Sequence, residues 1–248
     1  MHLAVGNSNW VADEKRCRDL IDGWKKACNL ARCVWGGGET PTLPGIVIPG
    51  TAVLSGSAMG IVKPKDRLIT AENIQPGDAI ILIESSGIHA NGLTMARKIA
   101  DKLPDGYLTK LDDGRTYGET LLDPTHIYVP AIEDCLNAGI KIKYAVNVTG
   151  HGWRKLMRAP QPFAYVIDKL PRPKPIFAFI QQHGPVDDRE AYGNLNMDAG
   201  FALYVVEADV KKTLDTLTSD GFTAIKAGYI EKSEEKKVVI RPKGLEYS

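Results

Sequence analysis

Gly77–Lys98 reads GDAIILIESSGIHANGLTMARK, and the changes of pattern inside it decide the fold. Pro76-Gly77-Asp78 is a turn signal. Ala79–Glu84 is an apolar run of strand length, the pattern of a strand buried on both faces. From Leu93 onward, Leu93, Ala96, Ile99 and Leu103 share one face of a helix. Between strand and helix lies a loop holding Ser86, Gly87, His89, Asn91 and Gly92. Its glycines let a backbone approach a ligand closely, and His89 and Asn91 supply polar groups to orient one.

The same design recurs. Glycines and polar residues follow strand-like segments at GGGETPT (36–42), NVTGHGW (147–153) and NLNMDAG (194–200). Such loops offer amide hydrogens with little side-chain obstruction, which is what phosphate oxygens require. Gly87–Thr94 has the spacing of a P-loop, but Leu93 stands where the phosphate-binding lysine belongs. The P-loop NTPase reading therefore fails, and the His89–Asn91 pair points to recognition of a substrate. Open α/β sheets gather ligands at strand ends, so four such loops suggest one shared cleft.

The remaining pattern is mixed. Cys17, Leu20, Ile21, Trp24 and Cys28 mark an amphipathic helix that Asp13 can cap. Residues 33–38 read as a short strand entering a glycine-rich loop, and 51–62 have strand character. A boundary near 61–65 separates residues 1–62 from 63–248. Further on, residues 104–126 look loop-like, and Pro130 opens a helix closed by Gly139. Strands are expected at IKIKYAVNV and FAYVID, with short helices at WRKLMR and after PRPKP. Residues 196–231 form a β-α-β unit, and a charged hairpin ends the chain. The fold class expected is α+β, an α/β sandwich with helices covering a mixed sheet.

Composition narrows the function. The chain has 248 residues, 44% hydrophobic and 25% charged, with formal net charge +1. No global field points to nucleic acid or membrane, so an anionic ligand must be held by local geometry. The four cysteines form neither a CxxC pair nor a Cys/His cluster, and no group has the spacing of a metal site. Reduced thiols and the lack of an export signal point to the cytoplasm.

GGGETPTLPG, GDAIILIESSGIHANGLTMARK, LLDPTHIYV, NVTGHG and NMDAGFALYVV resemble, in order, the motifs of the aminoimidazole ribonucleotide synthase (phosphoribosylformylglycinamidine cyclo-ligase) family. The patterns resembled are GGET-x-x-x-PG, SSG-x-HSNG, L-[LD]-P-T-x-I-Y-V, H-x-TGGG and FNMG-x-G, from about Gly36 to Ile230. The resemblance implies ATP-dependent ring closure of formylglycinamidine ribonucleotide in a cytoplasmic homodimer that uses ATP and Mg²⁺. It implies Gly37, Gly38, Glu39 and Thr40 on the nucleotide side, with His89 and Asn91 at the reactive end of the substrate. Ser86, Gly87, Gly92, Asn147, Thr149, Gly150, His151, Gly152, Asn196 and Met197 are then substrate-binding, Thr149–Gly152 near its phosphate. Asn147 and His151 depart from the pattern: histidine usually stands at the first position and glycine at the second. The DGVGTK-like strand and ND pair that hold ATP and magnesium in the family are not found here. The resemblance thus implies a chain that opens inside a ferredoxin-like N-terminal half, leaves a sheet edge or face uncovered, and is a poor catalyst alone. Two alternatives stand beside this reading. One is a non-catalytic ligand-binding or regulatory homologue; the other is a superfamily member acting on another phosphorylated substrate.

Overall fold

The structure, a computed structural model, describes residues 1–248. The chain forms two compact units, Met1–Arg67 and Leu68–Ser248; the sequence reading set the boundary at 62/63.

In the first unit, β1 (His2–Val5) pairs antiparallel with β2 (Ala52–Ser55). Helix α1 (Glu14–Leu30) begins where Asp13 accepts a hydrogen bond from the Arg16 amide at 2.9 Å. Its apolar stripe is present, yet none of its residues is buried. Val53 and Leu54 of β2 are exposed as well. The short strand expected from Cys33, ahead of the glycine-rich loop, does not form. The chain turns at Arg32 (φ +51°), and the Cys33 amide is spent on the Cys28 carbonyl, closing the helix end. Three glycines then leave nothing to pack as a strand.

The second unit starts its sheet with β3 (Ala79–Glu84), followed by α2 (Leu93–Ala100), α3 (Tyr117–Leu121), α4 (Val129–Asn137) and β4 (Ile142–Asn147). A 3₁₀ helix (Gly152–Met157) leads to β5 (Phe163–Ile167), α5 (Pro175–His183), α6 (Asp188–Asn194) and β6 (Ala199–Val205). Then come α7 (Val210–Ser219), β7 (Ala224–Lys232), β8 (Lys237–Ile240) and β9 (Leu245–Tyr247). The seven strands lie in the order β4-β6-β3-β7-β5-β8-β9, antiparallel except for the β5–β8 pair. In the β-α-β unit, β6 and β7 are not neighbours, because β3 lies between them.

Strand β3 shows why this sheet is sandwiched. Ile80 and Leu82 join one core with Ala96 of α2, Phe177 of α5 and Trp153. Ala79, Ile81 and Ile83 join the other, with Ala131 and Cys135 of α4 and Leu217 of α7. Alternate side chains of a strand point to opposite faces, so an unbroken apolar run supplies both cores. Each large side chain so buried contributes about 1.5–3 kcal/mol. Two short helices lie beyond the sequence reading. One is α3, held by a capping box between Thr116 and Glu119; the other is α6, capped by Asp187.

The topology gathers the loops. Glu84, the last residue of β3, is opposite Ala199 at the start of β6, and Asn147 at the end of β4 is opposite Phe201. Segments 85–92, 147–152 and 194–198 therefore lie at the same end of the strands. No helix is long and apolar enough to cross a membrane.

Candidate functional site

The loop after β3 turns through left-handed backbone at His89 (φ +58°) and Gly92 (φ +87°). Gly92 is required twice over: a Cβ there would lie 2.5 Å from Leu195 Cδ2, and L side chains rarely adopt its φ. It sits at the N-cap of α2 with no side-chain cap. Asn91 reaches the second loop, where a Cβ at Gly150 would lie 2.9 Å from Asn91 Oδ1. Gly92, Gly150, Asn194 and Leu195 line one cleft of about 470 Å³, with Lys98 and Lys102 on its wall. The loops at 87–92 and 149–152 thus share a cavity.

The late loop ties them together from inside. Asn196 is buried, its Nδ2 donates to the Gly87 carbonyl at 2.9 Å, and its carbonyl accepts from Trp153 Nε1 at 2.7 Å. Its Oδ1 accepts from the Asp198 amide at 3.0 Å. Met197 is buried in the core that includes Trp153. The sequence reading placed both against substrate; here the Asn196 amide is a strut between loops. Trp153 packs edge-on against Tyr192 at 5.0 Å. Gly152 closes the Thr149 turn, its amide donating to the Thr149 carbonyl at 2.7 Å, while His151 and Asn147 are exposed. Ser86 spends its hydroxyl on the Pro124 carbonyl at 2.6 Å.

His89 has neighbours of its own. Nε2 accepts the Ser86 amide hydrogen at 3.1 Å, so the ring proton of the neutral form is on Nδ1. The ring faces His126 at 6.3 Å and Tyr128 at 6.4 Å. Gly200 makes room for it, since a Cβ there would meet Tyr128 Oη and come within 2.8 Å of His89 Cε1. Burial, then the charges of His126 and Lys174, hold the imidazole down at about 4. It is therefore neutral at pH 7.

Residues that sequence reasoning passed over surround this histidine. Asp198 stands where the resembled pattern has glycine and takes a left-handed backbone (φ +68°). Its Oδ2 accepts the Lys174 amide at 2.5 Å. Its Oδ1 lies 3.3 Å from Lys174 Nζ, within ion-pair reach but without hydrogen-bond geometry. Lys174 Nζ also lies 3.4 Å from Glu84 Oε2. Burial pushes the Asp198 carboxyl up to about 6, against the pull of Lys174. Tyr128 donates to the Glu84 carbonyl at 2.9 Å. Two quoted motifs carried signals for this cluster: LLDPTHIYV holds His126 and Tyr128, and NMDAGFALYVV holds Asp198.

The GGGETPT segment belongs to the first unit. It is exposed and runs beside β1, with isolated bridges His2–Glu39 and Val5–Thr42. The Glu39 amide donates to the Met1 carbonyl at 3.2 Å, and the Gly37 carbonyl accepts from Trp35 Nε1 at 2.8 Å. No helix follows it, so the expected cradle of free amides before a helix is not what Gly37, Gly38, Glu39 and Thr40 form. No group of three or more His, Cys, Asp or Glu side chains is arranged to hold a metal ion.

Comparison with known proteins fits this architecture. Residues 75–241 match the family model described as AIR synthase related protein, C-terminal domain. A phosphoribosylformylglycinamidine cyclo-ligase of Methanocaldococcus jannaschii is 40% identical over 86% of this chain and 59% of its own length. One from Carboxydothermus hydrogenoformans is 33% identical over 96% of this chain and 69% of its own. The chain spans about six-tenths of the first of these relatives. Among solved structures, T. maritima PurL complexed with FGAR superposes with TM-score 0.57 at 12% identity, over 99% of this chain and 37% of that one, a likeness of fold. On the matched residues and these identities, the chain belongs to the AIR synthase-related family.

Proposed function

We propose that this chain carries the substrate-side domain of a phosphoribosylformylglycinamidine cyclo-ligase. In the complete reaction ATP transfers its terminal phosphoryl group to the formyl oxygen of formylglycinamidine ribonucleotide. An amidine nitrogen attacks the activated carbon, the C–O bond breaks, and phosphate leaves as the imidazole ring closes. Such chemistry needs positioning and donors aimed at charged oxygens more than it needs covalent help from the protein.

One observation carries the reading: Asn91 borders Gly150, and Gly92 and Gly150, one from each glycine-rich loop, line a common cleft. In this proposal the Thr149–Gly152 turn receives the ribonucleotide phosphate and Asn91 orients the reactive end. His89, neutral and with Nε2 occupied, offers only its Nδ1 proton and acts as a donor rather than a base. ATP is a co-substrate in the proposal, Gly37–Thr40 being supported as its site by the resemblance alone. Pairing of two copies and a cytoplasmic location rest on the same support. No step is assigned to magnesium.

Calorimetric titration with formylglycinamidine ribonucleotide tests this. The wild-type chain binds saturably, and Asn91→Ala weakens binding about tenfold, the worth of one hydrogen bond to a polar ligand. Equal affinities for the two proteins, or no binding by the wild type, would remove the substrate-side assignment.

A further inference from the structure

A second cavity adjoins the Thr149–Gly152 turn and shares no lining residue with the cleft. Its volume is about 550 Å³, and Arg154, Lys155, Arg158, Lys236 and His151 line it, with Met157 and Ser248 completing the wall. The cations come from two places in the chain: the 3₁₀ helix with Arg158 just after it, and the loop between β7 and β8, strands that β5 separates, so the charged hairpin expected at the chain's end does not form there. No acidic side chain lines the cavity, although Glu234 and Glu235 are near Lys236 in sequence. None of the four Lys and Arg side chains forms an ion pair, whereas Lys15, Arg115, Lys174 and Arg241, among others, do.

Two of the four cations are held in place by the protein. Arg154 is fixed by its own bonds, Nε to the Gly193 carbonyl at 3.0 Å and Nη2 to Asn194 Oδ1 at 3.2 Å. Lys155 Nζ donates to Thr149 Oγ1. Burial and then the charge of Arg158 lower the Lys155 ammonium, as expected where like charges share a recess. Four cationic side chains gathered in a concavity whose wall otherwise offers only the Ser248 terminus as a counter-charge, on a chain whose net charge is +1, are a local excess that a bound anion relieves. A monophosphate neutralises at most two of them; a diphosphate or triphosphate matches the set.

We infer that this cavity is a second anion site, separate from the substrate cleft, that takes a di- or oligophosphate group. The group is either free inorganic pyrophosphate or the phosphate chain of a nucleotide. The inference stands on this cavity and does not depend on the cyclisation chemistry.

Titration of the purified chain with pyrophosphate, followed by calorimetry and by backbone amide shifts of residues 151–158, tests it. Arg158 and Lys236 are exposed, and neither holds any of the loops described above. The double variant R158S/K236S is expected to lose about tenfold or more in pyrophosphate affinity, two charge-assisted contacts being removed. R158K/K236R retains binding, and the wild-type affinity falls as salt rises. ADP serves as the second probe. A larger loss for ADP than for pyrophosphate in R158S/K236S assigns a nucleotide; equal losses assign the diphosphate group alone. Absence of saturable pyrophosphate binding at low salt, or equal affinity in wild type and R158S/K236S, overturns the proposal. So does a matching loss of formylglycinamidine ribonucleotide affinity in that variant, which would merge the two cavities into one substrate site. Failure of the substrate-side reading is read separately, through Asn91→Ala.

Discussion

Helices α1 and α2 both carry a clear apolar stripe, and only one of them buries it. In the Leu68–Ser248 unit, Ala96, Ile99 and Ala100 of α2 are buried. In the Met1–Arg67 unit no residue of the 17-residue α1 is buried, and the buried hydrophobic residues are Leu3, Ala4, Val5 and Val47. Periodicity in a sequence therefore says which face of a helix is apolar, not whether anything covers it. The sharpest way to break this contrast is to truncate one side chain in each unit. Trp153 is fully buried and donates to Asn196. Trp153→Ala should cost about 3–5 kcal/mol in urea unfolding of the larger unit, from the cavity and the lost contacts. Ile21→Ala, at a side chain 46% exposed, should cost less than about 1 kcal/mol. Comparable losses would mean that α1 is packed in solution.

Next in size is a pH effect that only the larger unit has. His89 binds its proton more weakly folded than unfolded, since burial and the charges of His126 and Lys174 oppose the imidazolium. Between its ordinary value near 6.5 and about 4, the unfolded chain binds more protons, so the stability due to neutral His89 is present above 6.5 and lost as pH falls through 4. Asp198 runs the other way. Its carboxyl is raised to about 6, so its contribution is present below 3.8 and lost as pH rises through 6. The two slopes partly cancel in the wild type. Comparison with His89→Gln removes the Asp198 slope, which both proteins share. The stability advantage of wild type over His89→Gln should shrink by up to ~3 kcal/mol from pH 7 to pH 4. A difference that stays constant with pH would show that His89 is not held neutral by its surroundings.

How far the sequence could be read depends on the range of the interaction that decides each feature. Ala79–Glu84 was legible as a doubly buried strand because its six residues carry the whole signal, and the sandwich around β3 follows from it. The Thr116–Glu119 capping box was equally local, but it caps a helix of only five residues with no apolar repeat to draw attention. The short strand expected from Cys33 failed because a helix-closing bond there outweighed the β-preference of Val34 and Trp35. At the site, glycine-rich loops announced themselves by composition. The Lys174–Asp198 and Lys174–Glu84 contacts did not, because they join residues 24 and 90 positions apart. Asn196 shows the opposite error: a polar residue in a glycine-rich motif invites assignment to a ligand, yet its amide is used up inside the protein.

The smallest expected effects come from glycine, and they have opposite signs in the two units. Gly92→Ala places a Cβ against Leu195 at a backbone φ of +87°, so strain and overpacking together should cost about 1–3 kcal/mol. Weaker substrate binding should accompany it, because Gly92 lines the cleft. Gly23 sits inside α1, where an added Cβ would meet nothing within 4 Å. Gly23→Ala should therefore stabilise α1 by about 0.5–1 kcal/mol, since alanine loses less backbone entropy in a helix and meets no neighbour. Helical circular dichroism of the two proteins through a thermal ramp measures the gain. A loss of stability on Gly23→Ala would show that this face of α1 is in close contact with something in solution, and the contrast drawn between the two helices would have to be withdrawn.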